Sequence, residues 1–208
     1  MKLNYDILVS VMKHLERNDL LYMMCTCRML YGLGISLFLR EIDIMTRPWA
    51  DTPWLKLYRL HLLENPTRFS NVTSLTSPYA IFGDDPSGPE DHRYRAQSRL
   101  FPAQSRLPGC LQYFTCLQAL KIMMDGKNIE VPFLRWILSL SDLRTLRLLE
   151  VGKQNQPLVD LLQGLRSTIE VVEISRSVGI GMEGVFDLVP ALVHATSLLT
   201  SLSIVHFD

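Results

Sequence analysis

The sequence predicts an α/β protein in which a short N-terminal segment of three helices is followed by a right-handed α/β solenoid with parallel strands. Two observations predict this class. Apolar residues recur at helical spacing within the first 36 residues, and one strand-forming motif returns at nearly constant intervals in the second half of the chain. The 208 residues are 48% hydrophobic and 20% charged, so the chain is able to bury a core.

Charge and cysteine content exclude several classes of function. Lys and Arg together number 21, as do Asp and Glu, and the net charge of zero argues against a nucleic-acid partner, which requires a basic excess. No run of 18 apolar residues occurs, so we expect no membrane-spanning helix and no membrane partner. The four cysteines lack the spacing of metal ligands, so we expect no metal site and free thiols in a reducing compartment, the cytoplasm or the nucleus.

The first helix is predicted from one apolar stripe. Its members recur three or four residues apart: Ile7, Leu8, Val11, Met12 and Leu15. Asn4 stands just before this stripe and is a suitable N-cap, because its side-chain oxygen can accept a hydrogen bond from the first turn.

Two further short helices are predicted in this segment. The second covers Leu20 to about Met24, after a polar run that interrupts the apolar pattern. The third begins near Thr26 and should end at two glycines, Gly32 and Gly34, which are typical of helix C-termini. Three helices that together contain about thirty residues cannot bury all their apolar faces against one another. Part of that apolar surface should therefore remain exposed for docking.

Residues 37–81 are predicted to connect the two regions through a strand and a helix. Leu39–Ile44 alternates in polarity and predicts a strand, Trp54–Glu64 predicts a helix, and Val72–Leu75 predicts a second strand. We interpret the two strands as degenerate first repeats. Residues 82–108 are rich in Gly and Pro and carry four acids followed by four bases, so we expect a flexible charged insertion there, with an interaction loop as the alternative.

A strand motif repeats in the region from residue 109 to residue 208. Its four copies are Leu117-x-x-Leu120-x-Ile122, Leu143-x-x-Leu146-x-Leu148, Ile169-x-x-Val172-x-Ile174 and Leu199-x-x-Leu202-x-Ile204. Their first positions are 26, 26 and 30 residues apart, which is the period of a leucine-rich repeat. Helices are predicted between the strands over Phe133–Leu140, Leu158–Leu165 and Met182–Ala195, the last with a kink at Pro190.

Stacking such units places their strands in a parallel sheet with the helices on the opposite side. The last apolar position of the motif should then form one buried row, made by Ile122, Leu148, Ile174 and Ile204. Residues between the apolar positions should face out of the concave surface. Eight of the polar ones are candidate substrate-binding residues: Gln118, Lys121, Arg144, Arg147, Glu170, Glu173, Ser201 and Ser203. A solvated face without a partner is the alternative.

The sequence ends within the pattern of its last strand, Leu202–Phe207, and no polar capping segment follows that strand. We therefore expect either a truncated repeat region that continues in a longer product, or association of the chain through this strand edge. The alternative is that the last helix covers the edge and the protein is a monomer.

Three short motifs near the N-terminus occur in a fixed order. They are Leu3-Asn4-Tyr5-Asp6-Ile7-Leu8, then Asp19-Leu20-Leu21, then Cys27-Arg28-Met29-Leu30. In order and spacing they are similar to the F-box pattern, which opens with Leu-Pro-x-Glu/Asp-Ile/Leu-Leu, continues with Asp-Leu-Leu and ends with Cys-Arg-x-Trp/Leu. Here Asn4 takes the place of the usual proline, and Leu30 the place of a tryptophan found in many members. Residues 1–36 thus resemble an F-box, and the whole chain resembles the fungal proteins that join an F-box to leucine-rich repeats.

The resemblance implies a substrate receptor of a Skp–cullin–F-box ubiquitin ligase, which is not itself an enzyme and uses no cofactor. Its partners would be a Skp-type adaptor, a cullin reached through that adaptor, and a protein substrate of unknown identity. The receptor raises the effective concentration of the substrate beside the ubiquitin-charged enzyme. The residues implied in adaptor contact are Leu3, Ile7, Leu8, Val11, Leu20, Leu21 and Cys27. Ordinary core packing is the alternative role for each.

Two other functions are alternatives for this sequence. One is a leucine-rich-repeat scaffold for protein interactions without a ligase role. The other is a dinucleotide-binding enzyme, suggested by the glycine pattern Gly179-Ile180-Gly181-Met182-Glu183-Gly184 after a strand. This enzyme is disfavoured because several residues, Arg176-Ser177-Val178 among them, separate the strand from the first glycine, where the fingerprint has a tight turn. The repeat period accounts for the same segment without a cofactor.

Overall fold

A computed structural model describes most of the chain, and all structural statements below concern its described residues. These are residues 4–43, 66–78, 113–152, 158–162, 164–176 and 183–205. The helix predicted over residues 54–64, the insertion at 82–108, Leu3 and the first four residues of the glycine pattern lie outside them. The chain divides into two compact units, Met1–Ile42 and Asp43–Asp208.

The first unit contains three helices, as the apolar spacing predicted. They are α1 (Tyr5–Lys13), α2 (Arg17–Thr26) and α3 (Arg28–Phe38). The Asn4 side-chain oxygen accepts a hydrogen bond of 3.1 Å from the backbone N–H of Asp6, which confirms the predicted N-cap of α1.

The predicted end of the third helix was wrong. Helix α3 continues through both glycines and ends only at Phe38. The reason is a close approach between helices: a Cβ atom at Gly34 would lie 2.5 Å from Met24 Cγ and 2.6 Å from Met12 Cε. Gly34 therefore serves the packing of α3 against two buried methionines, and it does not terminate the helix.

Arg17 fastens the start of α2 to the residues that follow α3. Its guanidinium donates hydrogen bonds to the carbonyl oxygens of Phe38 and Glu41. The same group lies 4.9 Å from the centre of the Phe38 ring, within the range of a cation–π contact. The second and third helices are thus joined by polar contacts as well as by apolar packing.

Six strands form one sheet in the order of the chain. They are β1 (Glu41–Asp43), β2 (Ser74–Pro78), β3 (Ala119–Met123), β4 (Thr145–Val151), β5 (Val171–Arg176) and β6 (Ser201–Val205). A 3-10 helix, Pro66–Asn71, precedes β2. Three helices lie between the later strands: α4 (Val131–Ser139), α5 (Leu158–Leu161) and α6 (Glu183–Ala195), the last of which contains Pro190.

Strands β2 to β6 are paired in parallel, as predicted. The third apolar positions are in register, with Ile122 opposite Leu148, Leu148 opposite Ile174, and Ile174 opposite Ile204. Ser77 of β2 continues this row beside Ile122. The strands at residues 39–44 and 72–75, predicted as early degenerate strands, contribute β1 and β2 to the same sheet.

The predicted burial of the apolar row fails at its last member. Ile122, Leu148 and Ile174 are fully buried, but Ile204 is 44% exposed. Leu202, in the neighbouring row, is 37% exposed. Strand β6 is last in the sheet order, so its side chains have a neighbouring strand on one side only and are covered less.

An aromatic cluster fills the core beside the first strands of the second unit. The Phe69 and Phe114 rings lie 4.8 Å apart, Phe114 and Trp136 lie 6.4 Å apart, and Phe133 and Trp136 lie 5.5 Å apart. These separations fall in the favourable range for aromatic pairs. The cluster joins the 3-10 helix before β2 to helix α4.

Polar side chains tie successive strand–helix units together. Arg135 of α4 donates to the carbonyl oxygen of Leu161 at the end of α5 through Nε at 3.2 Å and Nη2 at 2.8 Å. The Thr168 hydroxyl before β5 lies 2.7 Å from the carbonyl oxygen of Ser141 and 3.1 Å from that of Leu143, both before β4. These hydrogen bonds satisfy backbone carbonyl groups outside the strands, which have no partner in the hydrogen bonding of the sheet.

A β-bulge interrupts the pairing near the end of β4. Leu148 is opposite Ile174 but Val151 is opposite Arg176, so β4 has one extra residue. Glu150 takes a positive φ of 53° there, and its N–H donates to the buried Ser175 hydroxyl at 3.0 Å. Just beyond, a Cβ atom at Gly152 would lie 2.0 Å from the carbonyl oxygen of Gly126. Glycine is required at residue 152 because the obstacle is backbone.

We predict that Gly152→Ala lowers the free energy of unfolding by at least about 2 kcal/mol, since the backbone at Gly126 would have to move. The matched control is Gly164→Ala, which has a φ of 81° but no atom within 4 Å of its added Cβ. It should cost only about 1 kcal/mol of backbone strain. Urea denaturation followed by circular dichroism measures both values, and equal losses would contradict the close approach.

A second pair of variants tests the packing of α3. Gly32→Ala should raise the free energy of unfolding by about 0.5–1 kcal/mol, because nothing lies within 4 Å of the added Cβ and alanine favours helix. Gly34→Ala should lower it by about 1–3 kcal/mol through overpacking against the methionines. Thermal unfolding monitored at 222 nm distinguishes the two, and the same sign for both would refute the assigned role of Gly34.

Candidate protein-binding surfaces

Only part of the apolar stripe of α1 is buried in the core of the first unit. Leu8 and Met12 are buried, whereas Ile7 and Val11 are 58% and 47% exposed. Ile7 and Val11 are four residues apart and therefore lie on one side of the helix. They form a ridge beside the buried stripe, and we call this pair the α1 ridge.

The structure separates the residues implied in adaptor contact into two groups. Leu8, Leu20 and Leu21 are less than one-tenth exposed and belong to the core of the first unit. Ile7, Val11 and Cys27 are exposed. Only the second group offers side-chain surface to a partner, while the buried leucines hold the helices that carry it.

Three exposed apolar residues of the first unit were not among the predicted contacts. Tyr5 is 58% exposed, Tyr22 71% and Met29 43%. Tyr22 could have been found from the sequence, because it directly follows Leu21 on α2 and so points about 100° away from it. The exposed apolar surface of this unit is therefore larger than the motif comparison indicated.

The second unit has an open face on the side of the sheet away from the buried rows. On β3 to β5 the side chains between the buried positions lie there, as the alternation of a strand requires. Small residues form one row: Ser74, Ala119, Thr145, Val171 and Ser201. A second row, two residues further along each strand, is polar: Thr76, Lys121, Arg147, Glu173 and Ser203.

A further polar row precedes the strands. It consists of Gln118, Arg144, Glu170 and Thr200. The backbone N–H groups of Arg144, Glu170 and Thr200 each donate to the carbonyl oxygen of the preceding member at 2.8–2.9 Å. All eight predicted substrate-binding residues therefore lie on this row, the small row or the polar row.

Two ion pairs lie side by side here, one between β4 and β5 and one between the residues that immediately precede these strands. Arg144 Nη1 lies 3.3 Å from Glu170 Oε1, and Arg147 Nε lies 3.0 Å from Glu173 Oε2. Both arginines and Glu170 have nearly half of their side-chain surface exposed. Exposed pairs of this kind contribute only about 0–1 kcal/mol. The sequence suggested the charges but not that they pair.

The charge on the open face varies along the sheet, from β3 to β6. Lys121 on β3 lies in register with Arg147 on β4, so two positive charges are neighbours. Arg147 forms an ion pair with Glu173 on β5, and Lys121 does not. Ser201 and Ser203 of β6 follow. The face is therefore cationic over β3 and β4, anionic over β5 and hydroxylic over β6.

The described residues contain no group of three His, Cys, Asp or Glu side chains able to hold a metal ion. The thiols of Cys25, Cys27 and Cys116 are free and exposed. None of the helices in the described ranges is both long enough and apolar enough to cross a membrane. Gly184 lies in α6, but residues 179–182 of the glycine pattern fall outside the description.

No model of a known protein family matches this chain, and no match was found among curated proteins or solved structures. The function is therefore inferred from the two surfaces described above together with the motif resemblance at the N-terminus.

The small energy of the ion pairs can be measured directly. A double-mutant cycle of Arg147→Ala and Glu173→Ala should give a coupling energy of about 0.2–1 kcal/mol at low salt, because both groups keep contact with water. In 1 M NaCl the coupling should approach zero, since charges are then screened over about 3 Å. A coupling above 2 kcal/mol that persists in salt would contradict an exposed, exchangeable pair.

Proposed function

We propose that this protein is the substrate receptor of a Skp–cullin–F-box ubiquitin ligase. The observation that carries the proposal is the exposed α1 ridge on a three-helix unit whose motifs resemble an F-box. An apolar ridge on such a small unit is costly to leave in water unless a partner covers it. The proposed partner at this surface is a Skp-type adaptor, through which the receptor would reach a cullin.

In the proposed contact, Ile7, Val11 and Cys27 touch the adaptor. Leu8, Leu20 and Leu21 act beneath them by fixing the positions of α1 and α2. Leu3 belongs to the motif and lies outside the described residues. Tyr5, Tyr22 and Met29 supply the remaining exposed apolar surface of the unit.

The second unit is proposed to be a leucine-rich-repeat solenoid whose open face holds the substrate. Support comes from the repeat interval and from the parallel register of the motif positions. The receptor carries out no chemistry in this proposal. It keeps a protein substrate close to the ubiquitin-charged enzyme, in the cytoplasm or the nucleus, and so acts through effective concentration.

The adaptor contact is tested by Ile7→Asp together with Val11→Asp. Each aspartate would place an unpaired charge in an apolar interface, so affinity for a purified Skp-type adaptor, measured by calorimetry, should fall at least about 100-fold. Because both side chains are exposed, the circular dichroism spectrum should stay unchanged. Leu20→Asp is unsuitable, because Leu20 is buried and its replacement would unfold the unit.

The matched control is Lys13→Asp, which changes the net charge by the same two units at an exposed residue about 120° or more around α1 from both Ile7 and Val11. It should leave adaptor affinity within about threefold. If the wild-type chain does not bind the adaptor, the ligase function is wrong and a repeat scaffold without a ligase role takes its place. If the double variant binds as well as wild type, the assigned surface is wrong.

A further inference from the structure

We propose that the open face binds an extended segment of a protein in which an acidic residue and a basic residue are two positions apart. The acidic side chain would lie between Lys121 and Arg147, and the basic side chain would lie at Glu173. This inference rests on the proposed function in that the segment would belong to the substrate, but the binding itself needs no adaptor.

The position of the acidic group follows from an imbalance of charge. Lys121 and Arg147 occupy registered positions on adjacent strands, and like charges opposite each other are unfavourable. Glu173 pairs with Arg147 from the far side at 3.0 Å. Among the described residues, no acidic side chain forms an ion pair with Lys121. A carboxylate placed over this pair of strands would compensate the excess positive charge.

The position of the basic group follows from what that carboxylate displaces. If an acidic group of the ligand pairs with Arg147, Glu173 loses its partner. A basic group of the ligand can then pair with Glu173 in place of Arg147. Because the existing ion pair is exposed, breaking it costs about 1 kcal/mol or less. The exchange therefore breaks one ion pair and forms two, and the ligand carboxylate offsets the repulsion between Lys121 and Arg147. A ligand with only one of the two charges would leave one protein charge unpaired.

The spacing of the two ligand charges follows from sheet geometry. Neighbouring strands are about 4.8 Å apart, so the midpoint between β3 and β4 lies about 7 Å from β5. In an extended peptide, side chains on the same side are two residues and about 6.6–6.8 Å apart. A segment that crosses the strands therefore presents alternate side chains at the required separation.

The floor of the open face allows the backbone of such a segment to approach. The row next to the charged positions contains Ala119, Thr145 and Val171 over β3 to β5, and none of these side chains is larger than valine. Long side chains flank it, with Arg144 and Glu170 before the strands and Arg147 and Glu173 beyond. A peptide backbone over the small row can place its charged side chains on the polar row.

The test uses the full chain and a display library of random ten-residue peptides. Selection on the wild-type protein should enrich peptides with an acidic and a basic residue at positions i and i+2. The affinities of enriched peptides are then measured by fluorescence anisotropy. In the charge-swapped variant R147E/E173R the two pairing charges exchange strands, and this variant should bind these peptides at least tenfold more weakly. Lys121→Gln should also lower the affinity for the peptides.

The matched control is D142R/R166E, which exchanges two exposed charges of the second unit that lie outside all three rows, and it should change affinity less than about threefold. Failure to enrich the acid–x–base pattern would overturn the proposal, as would equal binding to wild type and R147E/E173R. Equal losses in both swapped variants would contradict the assigned position of the acidic group. Adaptor binding is measured separately, so a failure of the ligase role leaves the peptide result distinguishable from it.

Discussion

The in-register parallel pairing of short strands is the constraint on which the second unit depends. A strand of five to seven residues followed by a helix has one apolar side and cannot enclose it alone. Pairing β3 with β4, and β4 with β5, brings Ile122, Leu148 and Ile174 into one row, and all three are completely buried. A shift of one residue would turn this row to solvent. The apolar sequence pattern and the strand register therefore determine each other.

The open face is a direct consequence of the same register. Once alternate positions are committed to the core, the positions between them are free to carry charge without loss of packing. Arg147 and Glu173 become neighbours because Leu146 pairs with Val172 and Leu148 with Ile174. The proposed binding surface is thus set by the core beneath it, and changes in its charges should alter binding without altering the fold.

Periodic features of the fold could be predicted from the sequence, and features that depend on close approach could not. Four copies of one motif were sufficient to predict parallel strands and their register. The continuation of α3 through Gly34 was missed because it depends on contacts with Met12 and Met24, which are distant in sequence. The exposure of Ile204 was missed because a motif does not indicate how far each of its copies is covered.

For the candidate surfaces, the sequence predicted which residues take part, and it did not predict which of them pair or which are exposed. Residue types and spacing indicated which positions on the open face carry charge, but the ion pairs became evident only with β4 and β5 placed side by side. For the first unit, the motif comparison grouped Ile7 with Leu20, although one is exposed and the other buried. Helical spacing alone leaves the edge of a buried stripe uncertain by one residue position, which is the difference between core and ridge.

Disulfide trapping across β4 and β5 tests the registered sheet most directly. Thr145 and Val171 are registered partners with backbones about 5 Å apart, which suits a disulfide. Thr145 and Glu173, two residues out of register, are about 8 Å apart and too far. Mild oxidation should form a disulfide in the T145C/V171C variant and none between the introduced cysteines of T145C/E173C. Peptide mass spectrometry distinguishes this disulfide from any that involves the native cysteines. The opposite preference would show that the strands pair in a different register and would contradict the account of core and surface alike.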